Sequence, residues 1–137
     1  MGLGEAYMNL NELDNAEKAS YQALQLYPEF IPALLSYGMV KSKMNKLQDA
    51  INIYSRVIKA KPDYVFAYYQ RGVCYLKSND MDNAINDLYT AGTYEPTLKK
   101  ECFTILSNIF KQKGDNEKAK QFLEDALKSV SYTHLRA

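Results

Sequence analysis

A single histidine, His134, is all this chain offers to a catalytic triad or a zinc site. Both chemistries want histidine beside a nucleophile or among several soft ligands. There is no tryptophan, and the two cysteines, Cys74 and Cys102, are too few for a disulfide framework and lack CxxC spacing. An excess of one charge is missing too: 17 Lys and Arg face 16 Asp and Glu, a net charge of +1. No strong field therefore calls for nucleic acid or an anionic membrane. The longest apolar run, "FIPALLSYGMV", is too short to span a bilayer and carries Pro32 and Ser36. The opening "MGLGEAYMN" lacks the basic start and apolar block of a signal peptide, and Ala6 stands where a myristoylation site needs Ser or Thr. These absences predict no cofactor, no metal, no membrane and no nucleic-acid partner; 24% charged and 47% hydrophobic residues read as a soluble chain, whose compartment stays unknown, with the cytoplasm favoured over export.

Proline is scarce as well, with four in the chain, yet three of them fall on one step: Pro28, Pro62 and Pro96 are 34 residues apart. A fixed period in this range is the mark of a repeat architecture. Other columns keep the same step. Gly4, Gly38 and Gly72 are spaced by 34, with Ser107 at 35; Ala16, Ala50 and Ala84 by 34, with Ala119 at 35. Asn11, Asn45, Asn79 and Gly114 follow the same rule, as do Ala23, Val57, Ala91 and Ala126. All agree that one extra residue enters between Pro96 and Ser107.

Each column has a physical meaning. Asn or Gly closes a helix that ends in a left-handed residue, because other side chains resist positive φ. Proline stops the following helix, lacking the N–H and fixing φ. Each repeat thus reads helix, turn, helix, turn. Gly or Ser on the first helix and Ala on the second let the two backbones approach closely. Tyr68, Gly72 and Tyr75 share one helical face, as do Ala84, Leu88 and Ala91. The spacing predicts first helices near 1–10, 31–43, 65–77 and 98–112, and second helices near 14–26, 48–60, 82–94 and 117–129.

The pattern resembles the tetratricopeptide repeat, a 34-residue helix pair with W-x2-L-G-x2-Y, then A-x3-F, then P. The third repeat offers Tyr68, Arg71, Gly72, Tyr75, Ala84, Leu88 and Pro96. The fourth offers Phe103, Leu106, Ser107, Phe110, Ala119 and Leu123, without the proline. The second offers Leu34, Tyr37, Gly38, Ala50, Tyr54 and Pro62, with Lys41 where an aromatic belongs. The first begins midway, at Leu3, Gly4 and Tyr7, and runs on to Ala16 and Pro28. The resemblance implies an all-α fold, a right-handed α-solenoid of stacked antiparallel helix pairs. Its repeats would cover about 1–30, 31–64, 65–98 and 99–129, the first and last truncated.

Residues 130–137 are expected to stand outside the natural protein. One codon choice for Val130 to Ala137, GTC TCT TAT ACA CAT CTC CGA GCC, resembles a transposon-end adapter used in sequencing libraries. His134 lies in that tail.

No catalytic constellation emerges, and the chain is expected not to be an enzyme. Cys102 shares a column with Ala33 and Ala67, which predicts a small buried thiol. "NDMDNAIND" lacks the central glycine of a calcium loop and puts Ala84 at a ligand position, so it reads as a turn with acidic residues favouring the next helix dipole. The twelve tyrosines could make a base-stacking surface, but many fall in motif columns and no basic excess supports it.

The resemblance implies that first helices line a concave groove for a peptide or partner helix. Mapped onto this chain, that face comprises Leu35, Met39 and Lys43, then Phe66, Tyr69, Gln70, Val73 and Lys77, then Glu101, Thr104, Ile105, Asn108, Lys111 and Gln112. A ligand with apolar anchors and some negative charge would suit it. Some relatives clamp an acidic chaperone tail with lysine, asparagine and arginine. The matching positions here hold Met1, Glu5, Ser36, Phe66 and Gln70, a set that cannot grip two carboxylates. The function implied is protein–protein interaction; the alternatives are a docking arm of a larger enzyme and, further off, an RNA-binding helical repeat. With Leu123, Ala126 and Leu127 closing the array uncapped, the ends are expected to self-associate.

Overall fold

The computed structural model describes the backbone of residues 10–136 and the side chains of residues 12–128. Among the described residues there are seven helices and no strand. The chain divides into two compact units, Met1–Asp63 and Tyr64–Ala137. In the first, α1 (Leu10–Leu26) packs on α2 (Ile31–Lys43), which packs on α3 (Leu47–Ala60). In the second, α4 (Val65–Lys77), α5 (Met81–Tyr94), α6 (Pro96–Gln112) and α7 (Asn116–Arg136) pack each on the next. The fold class is an all-α helical repeat, as the spacing indicated.

The tight turns are set by the left-handed column. Asn45 has φ 61°, Asn79 φ 64° and Gly114 φ 86°. Each turn also places the following N–H on a carbonyl five residues back. Lys46 donates to Lys41 at 2.8 Å, Asp80 to Tyr75 at 2.8 Å, and Asp115 to Phe110 at 2.9 Å. These bonds satisfy carbonyls that a helix end otherwise leaves open. Asp80 and Asp115 then cap the next helix, accepting from Asn83 N at 3.4 Å and Lys118 N at 3.1 Å.

Asn11 departs from the expectation. Its backbone lies in the first turn of α1 without a positive φ, so it continues a helix rather than closing one. Asparagine tolerates the left-handed region but does not impose it. The first helix expected near 1–10 falls, apart from Leu10, outside the described residues, as do Gly4 and Tyr7.

The extra residue of the fourth repeat has a structural origin. Four-residue loops, 27–30 and 61–64, precede α2 and α4, but Glu95 alone separates α5 from α6. Pro96 is the first residue of α6, where its missing N–H is no loss. Consequently α6 has 17 residues where α2 and α4 have 13, and it opens ahead of the 98/99 repeat boundary. A helical residue rises about 1.5 Å against about 3.3 Å for an extended one, so replacing loop by helix takes more chain. At the other end, α7 runs to Arg136 rather than stopping near residue 129. The stretch 129–136 contains neither proline nor glycine, so nothing local ends the helix.

The small-residue columns face the partner helix. Ala50 and Ala84 are fully buried, Ala119 nearly so. A Cβ on Gly38 would stand 2.8 Å from Tyr54 Cζ, and one on Gly72 would stand 3.0 Å from both Asp87 Cβ and Leu88 Cγ. Ser107 uses its place differently: its hydroxyl donates to Ala119 O at 2.6 Å. Ala126 does not contribute exposed surface at the array's end. It is buried at 1% exposure, because its column turns toward the first helix of the pair, whereas Leu123 and Leu127 are 43% and 55% exposed.

One feature of the second unit breaks the repeat. Gly92 occupies the column of Leu24, Ile58 and Leu127. A Cβ there would lie 2.8 Å from Phe103 Cε1, so the glycine makes room for that ring. Phe103 stacks on Tyr89 at 6.1 Å and meets Phe122 edge-on at 5.2 Å; Phe122 in turn stacks on Phe110 at 5.6 Å.

Candidate functional site

In the second unit the first-helix residues lie on α4 and α6. On α4 the buried side is held by Ala67, Gly72 and Cys74, which leaves Phe66, Tyr69, Gln70, Val73 and Lys77 on the other. On α6, Cys102, Phe103, Leu106, Ser107 and Ile109 are buried, leaving Glu101, Thr104, Ile105, Asn108, Lys111 and Gln112. The two helices are joined across this face by the Tyr69 hydroxyl, which donates to the Glu101 carboxylate. Tyr69, Val73 and Ile105 are half-buried and rest on the hydrophobic core, forming an apolar floor. Phe66 stands above it, 39% exposed, with its ring 5.9 Å from that of Tyr69. Gln70 is half-buried; Lys77, Asn108, Lys111 and Gln112 are exposed. The Thr104 hydroxyl is turned back onto Lys100 O at 2.6 Å. In the first unit, Leu35 is half-buried, Met39 is 43% exposed and Lys43 is exposed, all on α2.

Ion pairs tie neighbouring helices together within each unit. Arg71 donates from Nε to Asp87 Oδ2 at 2.7 Å and from Nη2 to Asp87 Oδ1 at 2.9 Å. Asp87 is 4% exposed, and Arg71 lies between the rings of Tyr68 and Tyr75 at 5.7 and 5.8 Å. The bonds to Asp87 raise the already high pKa of Arg71 further. This pair escaped the motif reading, though a signal existed. Asp87 sits in the column of Ile53 and Phe122, and Arg71 in that of Tyr37 and Leu106. Two opposite charges thus enter two apolar columns within one repeat.

The odd lysine of the second repeat is settled in a similar way. Lys41 is buried at 9% exposure, bonds the Glu17 carboxylate of α1 and lies 5.2 Å from the Tyr37 ring centroid. Its aliphatic stem fills an aromatic's place while Glu17 neutralises its head. The hydrogen bond from Lys41 lowers the Glu17 pKa, and the same bond raises that of Lys41.

Cys74 and Cys102 are both buried free thiols. Burial, with the Glu101 charge adding to it, pushes the Cys102 pKa to about 12, which leaves it unreactive at neutral pH. Asp80, from the acidic stretch, serves as a helix cap and also accepts from Asn83 Nδ2 at 2.8 Å. Among the described residues no group of three His, Cys, Asp or Glu side chains could hold a metal ion. Nor is any described helix long and apolar enough to cross a membrane.

Comparison with known proteins agrees with this architecture. Two tetratricopeptide-repeat models match, one over residues 38–96 and the other over residues 1–30 and 101–129. No curated protein matches. Among solved structures, a crystal structure of MamA superposes with a TM-score of 0.85 at 21% identity, over 97% of this chain and 77% of that one. A second, MamA from residue 41 to its end from Desulfovibrio magneticus RS-1, gives 0.80 at 21% identity, over 96% and 73%. At such identity the likeness is one of fold.

Proposed function

The chain belongs to the tetratricopeptide-repeat family, and from that premise we propose that it is a non-catalytic protein–protein interaction module. The α4/α6 face takes the peptide or helix of a partner. The observation that carries this reading is the exposed Phe66 ring, set against the half-buried Tyr69 ring on an apolar floor that the Tyr69–Glu101 bond ties to α6. Such a surface is preorganised, so binding orders few side chains and loses little entropy. Aromatic anchors over a dry floor are the usual centres of binding energy. Lys77 and Lys111, both exposed near the C-terminal ends of their helices, favour acidic residues in the ligand.

Peptides selected from a displayed random library test this. Binders should carry an aliphatic or aromatic anchor with acidic neighbours. Phe66→Ala should weaken them by about 1–3 kcal/mol, and Lys77→Glu should chiefly slow association, with melting temperatures preserved. Selected binders indifferent to both substitutions would place recognition elsewhere.

A further inference from the structure

Each unit carries a surface groove that the first-helix reading leaves unused. In the first unit, a groove of about 280 Å³ is lined by Tyr37 and Lys41 of α2 and by Asp49, Asn52, Ile53 and Arg56 of α3. In the second, one of about 260 Å³ is lined by Tyr89 of α5, Phe110 of α6, and Lys118, Gln121, Phe122 and Asp125 of α7. These are the same place in the repeat. Lys41 and Phe110, Asp49 and Lys118, Asn52 and Gln121, Ile53 and Phe122, and Arg56 and Asp125 are all separated by 69 residues. A half-exposed tyrosine lines the second groove, and another lies beside a lining residue of the first. Tyr89 is 50% exposed; Tyr21, 52% exposed, lies 6.4 Å from the Tyr37 ring.

The charges along the two rims are opposite. Asp49, Asn52 and Arg56 run acid, amide, base; Lys118, Gln121 and Asp125 run base, amide, acid. Asp49, Asn52, Arg56, Lys118 and Gln121 are exposed, and Asp125 is half-buried. The third repeat has Asn83, Asn86 and Thr90 at these positions, with no charge at all.

We propose that α3 of one copy docks alongside α7 of a second copy, the helices parallel, with Asp49 on Lys118, Asn52 on Gln121 and Arg56 on Asp125. Both helices carry their triplet at i, i+3 and i+7, so equal rise brings all three pairs into register together, over about 10 Å. Turning one helix around would set Asp49 against Asp125 and Arg56 against Lys118, so like charges fix the direction. Arg56 spends one N–H on Pro28 O at 2.8 Å and keeps four for a carboxylate. The two tyrosines supply apolar area that the rim pairs alone lack. The contact uses none of the residues of the α4/α6 face. It is weak and loosened by salt, since exposed pairs give selectivity rather than strength.

Sedimentation across a concentration series at low salt tests this, with two variants, D49K and K118D. Each variant alone sets one pair of like charges together whichever way the helices run, so self-association should fall roughly tenfold or more. An equal mixture should recover it, because the all-basic rim of one variant meets the all-acidic rim of the other at both pairs. Circular dichroism reports whether each variant keeps its helices, and D49R and K118E replace any that does not. Three results overturn the proposal. The wild type remains monomeric throughout; or the variants associate as well as the wild type, which assigns the contact to an α3–α3 or α7–α7 pairing or to Leu123 and Leu127; or the mixture stays apart.

Discussion

Replacing Gly72 by leucine probes the contact on which the helix pairing rests. The new Cβ would stand 3.0 Å from Asp87 Cβ, 3.0 Å from Leu88 Cγ and 3.2 Å from Leu88 Cδ2. Leu88 is fully buried and Asp87 is 4% exposed, so neither can swing into solvent. Three further carbons must then enter space already filled. Overpacking of this kind costs about 1–3 kcal/mol. Leucine's better helix propensity returns about 0.8 kcal/mol. Moving Asp87 also strains its two bonds to Arg71, and breaking a buried pair outright costs about 3–5 kcal/mol. Even partial loss brings the net destabilisation to about 3 kcal/mol. For a chain of this length that is a fall of about 10 °C in Tm. Lys77→Ala, on the exposed end of the same helix, is the control and should stay within about 0.5 kcal/mol. Thermal and urea unfolding followed by circular dichroism read both. A Gly72→Leu protein melting within about 2 °C of Lys77→Ala would refute the close contact.

Two other predictions concern the buried charges. Glu17 has a folded pKa below the ordinary 4.5, so its pair with Lys41 contributes stability above that value and loses it as pH falls through the lowered pKa. Lys41 is raised above 10.5, so its share is complete below that value and is lost only as pH rises through the raised one. Glu17→Gln should therefore flatten the acid limb of a stability–pH profile while leaving the neutral region lower; an unchanged acid limb would dissolve the assignment. Arg71→Leu strands the Asp87 carboxylate and should destabilise by about 3–5 kcal/mol, whereas Arg71→Leu with Asp87→Leu should recover most of that loss. A double-mutant cycle checks this, and additive losses would contradict a coupled pair.

How far the sequence reaches can be followed residue by residue. α2 and α4 match the ranges expected from periodicity, because their Asn ends and four-residue loops repeat the same local chemistry. α6 opens two residues ahead of its expected start because Pro96 serves two roles, stopping one helix and beginning the next. The column pattern could mark Phe66 and Tyr69 as neighbours on one face. It could not join Tyr69 to Glu101, a partner 32 residues away. Nor could it show that Lys41 lies buried against Glu17, since pairing across helices depends on rotamers that packing alone selects.

The amino-acid order by itself determined the helix pairs, their turns and the small residues between them, because each depends on chemistry repeated at one period along the chain. Only the tertiary structure decided which departures from that period matter. Arg71 with Asp87, Gly92 beneath Phe103, and the oppositely charged rims of α3 and α7 lie in columns whose other members differ. Their meaning comes from distance and burial, which no single column records.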